Sequence, residues 1–132
     1  MNRSYRILLI DDDPDFSAAV STYLEANGFT VVRAASGREG VTLAARERPA
    51  LILLDIIMDE RTDGLFTEGA LRELPGLADV PILVVSSLYD AEADFTVPPD
   101  RMWGANTAFV GKPIDPTDLL ERIRTLLDVS ES

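Results

Sequence analysis

The sequence contains no cysteine and no histidine. Without cysteine there are no disulfides, no thiolate nucleophile and no iron–sulfur ligation. Without histidine, imidazole-based triads and zinc sites with imidazole ligands are out. Basic residues are scarce: 12 Lys and Arg face 23 Asp and Glu, a formal net charge of −11. That balance speaks against direct contact with nucleic acid, which needs a basic patch to displace phosphate counterions. It also speaks against an anionic membrane surface. Long apolar runs are missing too. The longest, Ala50 to Leu54, falls far short of the ~20 residues that cross a bilayer. The first residues, Met1 to Arg6, lead into four apolar positions and then three acids, which is not a signal-peptide pattern. The expectation is a cytoplasmic protein whose chemistry comes from carboxylates, hydroxyls, Lys, Arg or backbone.

What is present suits one domain of 132 residues, 1–132, with its core at about 5–128 and a frayed tail at 129–132. Three short apolar runs stand out: Ile7–Ile10, Leu51–Leu54 and Ile82–Val85. They lack alternation, as strands do when both faces are covered. Thr30–Ala34 and Ala108–Gly111 are weaker strand candidates. Helical patterns fill the gaps. Asp13 and Pro14 open a helix to about Asn27 with Phe16, Ala19, Val20, Tyr23 and Leu24 as its apolar positions, and Gly28 stops it. Ser36 caps a second, carrying Val41, Leu43, Ala44 and Ala45, which Pro49 breaks. A third runs from about Gly64 to Leu74 and ends at Pro75-Gly76. Asp115 and Pro116 open the last, with Leu119, Leu120, Ile123, Leu126 and Leu127 as its buried stripe. Leu88 to Ala105, with Pro98-Pro99, excludes one long helix and reads as a short helix or structured loop; Trp103 packs it. Strands alternating with helices imply an α/β fold with a parallel sheet, whose functional face lies at the carboxyl ends of the strands.

Each buried run is followed by a polar group. Asp11, Asp12 and Asp13 follow the first, Asp55 the second, Ser86 and Ser87 the third, and Lys112-Pro113 the last strand. A parallel sheet brings all of these to one edge. Asp13 is better explained as the cap of the first helix. The other carboxylates repel one another at close range and call for a cation. An acidic, all-oxygen site selects a hard ion such as Mg²⁺, which needs only one or two carboxylates and keeps waters. A carboxylate can act as nucleophile toward a phosphoryl group, with an ammonium and a hydroxyl stabilising its oxygens.

At this point the chain resembles the receiver domain of two-component response regulators. The resemblance covers Arg6 to Leu127. It is carried by Ile7-Leu8-Leu9-Ile10-Asp11-Asp12, Leu53-Leu54-Asp55-Ile56-Ile57-Met58, Asp63-Gly64, Pro81-Ile82-Leu83-Val84-Val85-Ser86-Ser87 and Lys112-Pro113-Ile114-Asp115. It implies a doubly wound five-stranded parallel sheet in a flavodoxin-like three-layer sandwich. It implies Asp55 as phosphoacceptor, with Mg²⁺ held by Asp12 directly, by Asp11 mainly through water, by Asp55 and by the Ile57 carbonyl. Ser86 matches the switch hydroxyl and Ser87 the small residue beside the phosphoryl group. Lys112 matches the lysine that pairs with it, Pro113 a cis X-Pro, and Phe109 the aromatic that rotates with the switch.

The partners implied are a histidine kinase or histidine phosphotransfer protein, since the chain has no histidine of its own, and a downstream protein. A homodimer is within what the resemblance allows. No DNA-binding segment follows the last helix, so a single-domain regulator or an excised receiver with a protein output is expected. The chain departs from the family pattern at Asp59, where a Pro is usual, in a longer loop from Asp55 to Gly64, and in the long stretch from Ser86 to Lys112. Apolar Ile57 and Leu88 flank the path of a hydrolytic water, which points to slow loss of the phosphoryl group. A module of the same fold that signals without phosphate is the alternative. A dehalogenase-type phosphatase would want Asp where Ile57 stands. A flavodoxin-type phosphate loop would not tolerate Asp11–Asp13.

Overall fold

The apolar runs alternate between two interiors. On one side of the sheet, Ile7, Leu9, Leu51, Leu53, Leu83 and Val85 pack together; on the other, Leu8, Ile10, Ile52, Leu54, Ile82 and Val84 do. Successive strand side chains point to opposite faces, so unbroken hydrophobic runs are what a sheet buried on both sides requires. The computed structural model describes residues 5–56, 67, 69–77, 79–86, 107–111 and 115–128. Within them the strands are β1 (Arg6–Ile10), β2 (Thr30–Ala34), β3 (Leu51–Ile56), β4 (Ile82–Ser86) and β5 (Thr107–Gly111). The helices are α1 (Pro14–Ala26), α2 (Gly37–Glu47) and α3 (Pro116–Asp128). Residues 69–72 add a helical stretch between β3 and β4, followed by turns at 73–76.

All five strands run parallel in the order β2-β1-β3-β4-β5. Parallel neighbours need crossovers, and the chain leaves β1 in one direction to reach β2 and returns past β1 to form β3. The order therefore reverses between β1 and β3, the crevice where open α/β sheets place their ligands. α1 and α3 supply Val20, Leu24, Leu119, Leu120, Ile123 and Leu127 to one layer; α2 and the 69–77 segment supply Ala44, Leu71 and Leu77 to the other. Fully burying a Val, Leu or Ile side chain is worth about 1.5–3 kcal/mol. This is the three-layer α/β architecture expected.

The helix ends follow their capping chemistry. Asp13 Oδ1 accepts from Asp15 N at 3.0 Å and Phe16 N at 3.4 Å, with Pro14 at the first helical position. Ser36 Oγ accepts from Glu39 N at 3.1 Å, and Glu39 Oε1 reaches back to Ala35 N at 2.8 Å. Asp115 Oδ2 accepts from Thr117 N and Asp118 N at 3.0 and 3.3 Å. Gly28 closes α1 with φ 96°. α2 closes at Arg48, held left-handed at φ 51°, ψ 64°, while Pro49 behind it prevents continuation.

Two details differ from the sequence expectation. Ala19 is exposed, and Ser17 and Ser21 are buried on α1 in its place. Ala45 is exposed on α2, where Gly40 is buried against β1. A small hydroxyl or a glycine fits where helix and sheet approach closely, and hydrophobicity alone does not mark such positions. The helix expected over Gly64–Leu74 is helical at 67 and 69–72 and turns from Glu73; 64–66 and 68 lie outside the described residues, as do Leu88–Ala105 and 129–132. Among the described residues, no helix is long and apolar enough to cross a membrane.

Candidate functional site

The register of the sheet sets the geometry of its acidic edge. Ile10 pairs with Leu54 across β1 and β3, so Asp11 and Asp55 each follow the last pair at the same level. β4 lies on the other side of β3, with Asp55 opposite Val85 and Ile56 opposite Ser86. Ser86 is in turn level with Gly111 of β5, and Phe109 is level with Val84. The sheet thus brings the chain positions of Asp11, Asp55 and Ser86 to one edge, beside the point where the strand order reverses.

The three consecutive acids after β1 have separate fates. Asp11 is 4% exposed, and its Oδ1 accepts from Asp13 N at 2.9 Å. Its own N donates to Ala34 O at 3.0 Å, so β1 stays tied to β2 one residue beyond the strand. Asp12 is exposed. Asp13 is spent on the N-terminus of α1, as its position after the strand implied. On β3, Asp55 is 9% exposed at a strand position on the same face as Leu51 and Leu53. Two buried carboxyl groups thus stand at the carboxyl edge of neighbouring strands.

The donor set fits a hard divalent cation. Every side-chain donor here is oxygen, and the chain has no thiol or imidazole to favour a softer ion. Among the described residues, no group of three or more Asp or Glu side chains is gathered into a ready-made cage. Mg²⁺ does not require one, because one or two carboxylates and several waters satisfy it. Ile57, Ser87, Leu88, Lys112 and Pro113 lie outside the described residues.

Sequence reasoning passed over a polar pair beside this edge. Arg33 of β2 donates from Nε to Ser17 Oγ at 2.8 Å, and Ser17 is 3% exposed. The available signals were a cation near the carboxyl end of β2 and a serine inside the apolar face of α1.

Known proteins resemble the chain in sequence and in fold. The sequence model of the response regulator receiver domain family matches residues 7–124. The chain is 35% identical over 125 residues to the DNA-binding dual master transcriptional regulator RpaA of Synechocystis sp., covering 92% of this chain and 48% of that protein. It is 33% identical over 128 residues to protein PilH of Pseudomonas aeruginosa, covering 92% of this chain and 97% of that one. The chain thus spans about half the length of RpaA and nearly the whole of PilH. The chemotaxis protein CheY4 of Vibrio cholerae has a similar structure, with a TM-score of 0.79 and 26% identity over 95% of this chain and 100% of that one.

Proposed function

The chain belongs to the response regulator receiver domain family of two-component signalling, and on that premise we propose that Asp55 is its phosphoacceptor. The observation that carries the reading is the pairing of Asp55 with Asp11. Both are buried acids, at the ends of adjacent strands, at the reversal of strand order. A carboxylate placed there is held rigidly by β3, which pre-pays the entropy of aligning a nucleophile.

The donor is a phosphohistidine on a histidine kinase or phosphotransfer protein. An Asp55 oxygen attacks phosphorus; the O–P bond forms as the P–N bond breaks, and the partner imidazole leaves with the electron pair and takes up a proton. Asp12, Asp55 and the Ile57 carbonyl would hold Mg²⁺, with Asp11 acting mainly through water, and the ion would neutralise charge on the transferring phosphoryl oxygens. Lys112 pairs with one of those oxygens, and the Ser86 hydroxyl donates to another. Ser87 is the small residue that leaves room for the group. The new charge on Asp55 then biases Ser86 and Phe109 toward a second arrangement that a downstream protein reads. The chain supplies one receiver unit. RpaA is named for DNA binding, but the match covers 48% of it, so that property is not carried over.

The test is intact mass after incubation with Mg²⁺ and a small-molecule phosphodonor, beside Asp55→Asn and a metal-free control. One phosphoryl increment, absent from both controls, is expected. An increment that survives in Asp55→Asn sinks the assignment. No increment from either the small donor or a phosphorylated kinase favours a module that signals without phosphate. Slow decay follows from apolar Ile57 and Leu88; Ile57→Asn and Leu88→Glu should speed it.

A further inference from the structure

Arg33 closes a ring of hydrogen bonds around the start of α1. Arg33 Nε donates to Ser17 Oγ at 2.8 Å. Ser17 N donates to Asp13 O at 3.0 Å. Asp13 N donates to Asp11 Oδ1 at 2.9 Å. Asp11 N donates to Ala34 O at 3.0 Å, and Ala34 follows Arg33 in β2. The ring therefore begins and ends on the same two residues of β2, and it passes through the carboxylate of Asp11.

We propose that Arg33 is a positioning residue: through Ser17 it fixes the first turn of α1 and thereby the Asp11 carboxylate at the metal edge. Each link has a physical reason. Ser17 is buried, so its hydroxyl needs a partner, and the exposed Arg33 supplies one. A charge-assisted donor holds the hydroxyl more firmly than a neutral one. The first turn of α1 then cannot slide along β2 without breaking that bond. Asp13 N travels with that turn, and Asp13 N is what orients Asp11 Oδ1. The inference rests on the Mg²⁺ reading above for its consequence, but not for its geometry.

The sign of the effect separates positioning from simple charge. Arg33 is a cation, and a cation near the edge repels Mg²⁺; by charge alone, its removal tightens binding. Positioning demands the reverse. Ser17→Ala breaks the ring without changing any charge. Arg33→Met removes both bond and charge at an exposed position, so folding is retained. Arg33→Lys keeps the charge and a donor able to reach Ser17.

The experiment is calorimetric titration with Mg²⁺, together with hydrogen exchange of the Asp13 amide in metal-free protein. Ser17→Ala and Arg33→Met are expected to weaken Mg²⁺ by about tenfold, the lower end of what partners behind metal ligands contribute. Both should speed exchange at Asp13, and Arg33→Lys should restore part of each. Unchanged affinity in Ser17→Ala, or tighter binding in Arg33→Met, overturns the proposal. If the unsubstituted protein takes up no Mg²⁺, the metal reading fails on its own. The Asp13 amide then still decides the ring, since unchanged exchange in both variants refutes it.

Discussion

Gly40 of α2 approaches Ile10 of β1 so closely that a Cβ built on it would lie 2.7 Å from Ile10 Cγ1, and nearer still to Cδ1. Ile10 is the residue immediately before Asp11, so the packing of α2 reaches the acidic edge through one side chain. Gly40→Ala gains intrinsic helix propensity of about 1 kcal/mol, but Ile10 must move to admit the methyl. Overpacking of this kind costs about 1–3 kcal/mol. Net destabilisation is expected by urea titration, and Gly40→Ala combined with Ile10→Val should recover part of it.

Ser36 and Glu39 together satisfy two backbone donors at the start of α2. Ser36→Ala should cost about 1 kcal/mol, and Ser36→Asp should cost little because a carboxylate also caps and suits the helix dipole. Thermal denaturation of the two variants side by side decides this. Equal losses would mean that the cap bond contributes nothing.

Arg48 ends α2 in the left-handed region, where a Cβ is strained and glycine is at ease. Arg48→Gly should therefore be neutral to stabilising, by up to about 1 kcal/mol, whereas Arg48→Val should be clearly destabilising. Chemical denaturation of both variants reads the difference. Similar stabilities for the two would show that the backbone there relaxes out of φ 51°.

Acid repulsion at the edge predicts a coupled response to metal. Mg²⁺ at a hundred times its dissociation constant should add about 2.7 kcal/mol, raising the melting temperature by several degrees. Asp12→Asn should abolish that rise. In metal-free buffer the same variant should melt higher than the unsubstituted protein, because one repelling carboxylate is gone. Scanning calorimetry with and without Mg²⁺ checks both signs.

Much of this was legible because the residues concerned are of extreme type. The runs Ile7–Ile10, Leu51–Leu54 and Ile82–Val85 became β1, β3 and β4, each within a residue or two, and Thr30–Ala34 is β2 to the residue. Asp13, Ser36 and Asp115 cap the helices assigned to them. β3 runs further than its apolar core, through Asp55 to Ile56, because ladder pairing with β4 does not depend on side-chain polarity. The buried serines of α1 and Gly40 of α2 escaped notice. Their burial is fixed by how near the neighbouring strand comes, a tertiary distance that a helical period does not encode. The Arg33–Ser17 bond escaped for the same reason, since its partners are 16 residues apart on different elements.

The sheet separates its two interiors completely: odd-numbered residues of β1 and β3 serve one, even-numbered residues the other. Neighbours in the chain such as Leu53 and Leu54 therefore answer to different sets of packing partners. Substitutions in the α1–α3 layer should be nearly additive with those in the α2 layer, since among the described residues the two buried clusters share no member. Over generations the two layers are free to drift at separate rates. One surface can acquire new binding partners while the other keeps its old ones, and the acidic edge, where both layers terminate, is the place that must remain compatible with each.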